Sequence, residues 1–182
     1  MSELRLNLRT TLSLLSAVLI SVAGCNQTGN DHASQGSIHP ANNKGEISTA
    51  SFRDDKVSAV YRHYLHVTDA LVQSDSKEAR LGSAALKTAL REVGHSKGAE
   101  VAEKIARAKD LGAQREQLNQ LTTEIEGILK KSPVASGEVY KQYCPMANEG
   151  NGGYWFSSDP AIRNPYYGDE MLNCGEVKEV IR

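Results

Sequence analysis

From Asp54 onward, apolar side chains recur at helical spacing. Val57, Val60, Tyr61, Tyr64, Leu65, Thr68, Leu71 and Val72 fall on one face of a helix of four to five turns. Ser74-Asp75 interrupts the pattern. Asp75 then caps a second helix, with Glu78 three residues on as its capping-box partner. Leu86, Ala89, Leu90 and Val93 give that helix its buried stripe, and Gly94 suits its C-terminal cap. A shorter third helix starts near Ser96 and carries Val101, Ile105 and Ala108, and Gly112 marks a break or bend. A fourth runs from about Ala113 through Leu118, Leu121, Ile125, Ile128 and Leu129, and Pro133 fits its stop. Four amphipathic helices with short connections predict a mainly α fold, an antiparallel four-helix bundle.

After Pro133 the periodicity changes. Seven of the ten aromatic residues fall between Tyr140 and Tyr167, broken up by glycines and by Pro145, Pro160 and Pro165. "EVYKQY", "GYWFS" and "EVKEVI" read as short extended pieces between turns. The expected result is a C-terminal aromatic, Gly-rich cap of short strands and turns folded onto the bundle. Asn164-Pro165-Tyr166-Tyr167-Gly168-Asp169 has the composition of a turn.

The N-terminal end belongs to neither part. Arg5 and Arg9 precede an apolar stretch from Leu12 to Val22, which has the length of a signal-peptide core and falls short of the roughly 20 residues needed to span a bilayer. Val22-Ala23-Gly24-Cys25 resembles a bacterial lipobox. That resemblance implies a lipoprotein signal peptide over 1–24, cleavage before Cys25 and lipidation of Cys25. The mature chain would then be anchored through its lipid to the periplasmic face of a bacterial membrane. Asn26 stands where an aspartate is the usual inner-membrane retention signal in enterobacteria, which favours the outer membrane. Residues 25–53 are rich in Asn, Gly, Ser and Thr without apolar periodicity, and read as a flexible tether, with His32 and His39 as polar spacers. Residues 54–182 form one domain. The net charge is −1 with no basic patch, which argues against a nucleic-acid partner.

Candidate chemistry is concentrated in the tail. Cys144, Met146, Met171 and Cys174 form a C-x-M and an M-x-x-C pattern. Thiolate and thioether are soft ligands suited to Cu(I) and Ag(I), whereas zinc usually wants four Cys or His ligands. The alternative is a structural Cys144–Cys174 disulfide, since an oxidising compartment and two cysteines beyond Cys25 also fit that reading. Closing a loop of about 30 residues would stabilise the fold by roughly 3 to 4 kcal/mol. His63 and His66, three apart on the first helix, read either as a solvated pair or as metal ligands completed by Asp69 or by the tail. Trp155 could lie over a bound cation, with plain packing as the simpler role. There is no phosphate loop, no G-x-S-x-G elbow and no H-E-x-x-H, so no enzyme activity is expected.

"YRHYLHVTDALVQSD", followed much later by "YCPMA", "GGYWFSS" and "IRNPYYGDEMLNCGEV", resembles the bacterial family known as domain of unknown function 3347. The resemblance covers roughly Val57 to Ile181. Members of that family occur as small exported proteins and as extensions of periplasmic adaptor subunits of copper and silver efflux systems. The resemblance therefore implies heavy-metal handling and an efflux adaptor as partner.

Overall fold

The computed structural model describes residues 49–182. Its elements run β1 (Ser51–Phe52), α1 (Asp55–Val72), α2 (Ser76–Glu92), α3 (Ser96–Arg107), α4 (Leu111–Leu129), β2 (Val134–Ser136), β3 (Val139–Cys144), β4 (Gly153–Ser157), a 3-10 turn (Gly168–Glu170) and β5 (Glu176–Ile181). Helices take up about half of these residues, so the fold is less purely helical than the periodicity alone suggested. The four helices pack together, each against its neighbour in sequence, with α4 also touching α1 and α2. The signal peptide, Cys25 and most of the tether lie outside the described residues.

Helix boundaries follow from caps. Asp54 accepts from the Lys56 amide, Asp75 from the Glu78 amide and Asp110 from the Ala113 amide, each satisfying an otherwise orphaned donor. The expected capping box at α2 is half made. The Glu78 carboxylate does not reach back to the helix start but bonds His66 Nε2 of α1 at 2.7 Å. Gly94 ends α2 with a φ of 72°, as a C-terminal glycine cap requires. Gly112, expected to mark a break, lies instead within the first turn of α4; the chain bends before it, at Ala108, which leaves the helix with extended backbone.

Val60, Tyr61, Tyr64 and Leu71 of α1, Leu86 and Leu90 of α2, Ile105 of α3 and Leu118, Leu121, Ile125 and Leu129 of α4 are buried in one core. Trp155 and Phe156 of β4 join the same cluster, which is how the tail becomes part of the domain. A three-stranded antiparallel sheet in the order β4-β3-β5 carries them, with Tyr143 opposite Tyr154 on one side and Glu176 on the other. The three extended pieces anticipated in the tail are these strands.

A second, two-stranded sheet was not anticipated. β1 pairs antiparallel with β2, Phe52 is buried, and its ring meets Tyr61 edge-on at 5.7 Å. The folded part therefore begins before Asp54, inside the stretch read as tether. Two residues are too few to show a strand period, which is why the pattern hid them.

Tyr64 is the point at which α1, α4 and the sheet meet. Its hydroxyl is fully buried, lies 2.8 Å from Thr122 Oγ1 of α4 and accepts from the Phe156 amide of β4 at 3.1 Å. Tyr64→Phe keeps the ring but leaves a buried amide and a buried hydroxyl without their partner. Urea unfolding should show a loss of about 1 to 3 kcal/mol. A loss under about half of one kcal/mol would show that water reaches these groups.

Candidate functional site at the cysteine pair

Cys144 is the last residue of β3, and Cys174 lies two residues before β5. Because Tyr143 pairs with Glu176, the antiparallel register brings both cysteines to the same end of the ladder. Cys144 is buried and Cys174 half-buried; both are free, and they lie near enough for the Cys144 thiol to perturb the ionisation of Cys174.

The glycine-rich turns make that approach possible. Gly175 passes so close to β3 that a Cβ there would sit 2.8 Å from the Tyr143 carbonyl oxygen and 2.9 Å from the Trp155 ring. Asn164 fixes the other side of the loop. It is fully buried, its amide nitrogen Nδ2 donates to the Cys174 carbonyl at 3.0 Å, and its Oδ1 accepts from the Tyr166 amide at 2.8 Å. Its backbone amide donates to Leu172 at 2.8 Å. The segment read only as a turn is thus the clamp that sets the height of Cys174 against Cys144.

The clamp is itself bolted to the helices. Arg115 of α4 donates through Nε to the Pro165 carbonyl at 3.0 Å and through Nη2 to the Leu71 carbonyl at 2.9 Å, which joins the loop to the end of α1. Gly168 sits in this junction with a φ of 58°, and a Cβ there would lie 2.8 Å from the Val72 carbonyl oxygen and 2.9 Å from the Arg115 guanidinium. On the sheet side, fully buried Gln142 donates to the Asp159 and Ala161 carbonyls at 2.9 and 3.2 Å, holding the chain after β4. Arg115, Gln142 and Asn164 were not singled out from the sequence. A lone buried polar residue leaves no periodic signal there, and only Asn164, next to Pro165, sat in a motif that stood out.

The methionines flank the pair unequally. Met146 is two residues past Cys144 with its side chain exposed at 53%, and its carbonyl accepts from the Tyr167 hydroxyl at 2.6 Å. Met171 is half-buried, and its carbonyl accepts from the Cys174 amide at 3.0 Å. Trp155, by contrast, is a packing residue, buried and edge-on to Tyr166 at 6.2 Å.

The histidines lie on α1 and do not gather a ligand set. His66 is exposed and ion-paired with Glu78 at 2.7 Å, while His63 is half-buried, and burial, with Arg62 and His66 beside it, holds its pKa below the usual value. Among the described residues, no group of three or more His, Cys, Asp or Glu is placed to hold a metal ion. Any cation at the cysteine pair would therefore draw on two thiolates and on thioethers.

Proton chemistry at the pair follows from this proximity. The Cys144 thiol and partial burial push the Cys174 pKa above that of an ordinary cysteine. Alkylation of Cys174 in reduced protein should consequently rise only at higher pH than for a free thiol, since the thiolate is the nucleophile. Cys144→Ala should move the rate-against-pH profile downward. An unchanged profile would show that the two thiols do not share a proton. At Gly168, alanine should cost clearly more than at Gly94, where the added Cβ meets nothing within 4 Å and backbone strain of about 1 kcal/mol remains. Equal melting shifts in the two variants would show that the loop yields at Val72.

No curated protein and no solved structure matches the chain. A family model matches residues 60–137, that is, most of α1 through Gly137, and ends before the cysteine pair. Over these residues the chain matches DUF3347, a family of proteins of unknown function.

Proposed function

We propose that the chain is a lipid-anchored periplasmic accessory of heavy-metal handling whose Cys144–Cys174 dithiol captures Cu(I) or Ag(I). In this reading α1 to α4 form an antiparallel four-helix bundle that serves as a scaffold, and no reaction is catalysed. The observation that carries the proposal is the proximity of the two thiols, set by the β3–β5 register and by Asn164. Two adjacent thiolates are a soft donor set, and soft monovalent ions accept few ligands. Met146 and Met171 lie close in sequence to the two cysteines and would add thioether sulfur, Met146 from an exposed position. His63 and His66 are left outside the set, because His66 is engaged by Glu78. Delivery to an efflux adaptor would follow from the family resemblance, and the anchor from Cys25.

The same proximity favours a second reading. Cys144 is wholly buried, so a disulfide with Cys174 would be shielded, and the domain would then be a structural or interaction module of the cell envelope. The two readings part in reduced protein titrated with Cu(I) against a competing chelator. Capture should be strong in the native protein, be lost in Cys144→Ser and Cys174→Ser, and tighten as pH rises towards the elevated Cys174 pKa, because the metal displaces a proton. Met146→Leu with Met171→Leu should weaken capture while changing stability by less than about 1.5 kcal/mol. No measurable capture by fully reduced native protein would leave the disulfide reading. For the anchor, Cys25→Ala should release the protein from membranes or leave its signal uncleaved. A variant processed and membrane-bound as before would overturn lipidation.

A further inference from the structure

Away from the cysteine pair, α1 and the chain after β4 enclose a cleft of about 170 Å³. Leu65, Val72, Trp155 and Phe156 supply its apolar lining, and hydroxyls of Thr68, Ser157 and Ser158 border it. Two opposite charges stand on its two walls, Asp69 on α1 and Arg163 on the loop. Burial raises the Asp69 pKa and the charge of Arg163 opposes that rise, yet among the described residues neither forms an ion pair, with the other or with a third group. His66, one turn before Asp69, is bonded to Glu78 and acts on Asp69 less than Arg163 does.

A cation and an anion on facing walls of a cleft with a part-apolar, part-hydroxyl lining match a ligand that carries both charges and a short apolar group. The cleft is well below the roughly 300 to 1,000 Å³ of sites for drug-sized ligands, which rules out a nucleotide or an oligosaccharide as a fully enclosed occupant. We infer that this cleft binds a free α-amino acid with an apolar side chain, its ammonium on Asp69, its carboxylate on Arg163 and its side chain against Trp155. The guanidinium is suited to the carboxylate because it can donate two parallel hydrogen bonds. Leu65 and Val72 close the cleft on the α1 side, which favours an aliphatic side chain. This site shares no residue with the dithiol and does not depend on the metal reading.

Trp155 is the single tryptophan of the chain, so its fluorescence reports on the cleft directly. Titration of the protein with leucine should give a saturable change. N-acetylleucine, which lacks the ammonium, and leucinamide, which lacks the carboxylate, should each bind at least about tenfold more weakly. In Asp69→Asn the penalty for acetylation should shrink, and in Arg163→Gln the penalty for the amide should shrink. Both residues are exposed at the rim, so the variants should melt with the native protein. The inference is overturned if leucine gives no saturable change. It is also overturned if both derivatives bind the native protein as well as leucine does, or if each penalty persists in the matching variant.

Discussion

A single buried hydroxyl joins the two halves of this domain. Tyr64 reaches from α1 to Thr122 on α4 and receives the Phe156 amide from β4. Burial pushes its ionisation well above the usual phenol range, so it stays a neutral donor and acceptor at any physiological pH. Around it the core is mostly aliphatic on α2, α3 and α4, while Trp155, Phe156 and Tyr166 bring rings from the tail. An apolar interface of that kind could slide. The hydroxyl fixes its register, because a shifted sheet would leave a backbone amide buried without a partner.

The same logic extends outward to the cysteine pair. Arg115, Gln142 and Asn164 each place a side-chain donor on backbone carbonyls of the segment from Asp159 to Cys174. That segment has almost no regular structure of its own, and its carbonyls are met by Arg115 and Gln142 from outside and by Asn164 from within. Desolvation lowers the pKa of Arg115 without bringing it near neutrality, so the bolt between α4 and the loop remains charged. The aromatic rings occupy the space that missing side chains leave: Tyr166 covers Gly153, and Tyr143 covers Gly152. Sulfur, glycine and aromatics are concentrated together because close backbone approach, rings over bare backbone and two neighbouring thiols are parts of one arrangement.

Much of this was legible beforehand. The four helices follow from spacing, since their apolar stripes are what the core needs, and the three long strands follow from β-rich runs between turns. The β1–β2 pair did not show because two residues carry no period. The capping box at Asp75 was half right because His66 competes for Glu78, a contact between helices that local spacing cannot reveal. The pairing of residues 144 and 174 was marked by composition, but the two histidines suggested a ligand role that their places on α1 do not bring together with the thiols. Single buried amides such as Asn164 and Gln142 act through tertiary contacts alone. In the sequence they look like any other turn or strand residue.

The sequence separation of 92 between Tyr64 and Phe156 has a consequence for how the molecule assembles. Helix pairs in sequence order close short loops, whereas docking the sheet on α1 closes a loop that spans the whole helical segment. Residues 153–181 then arrive last, and the two cysteines meet as part of that final step rather than before it. During synthesis the helical part therefore emerges before the strand that covers the Tyr64 hydroxyl. Whatever fills or oxidises the thiol pair acts on a nearly finished fold.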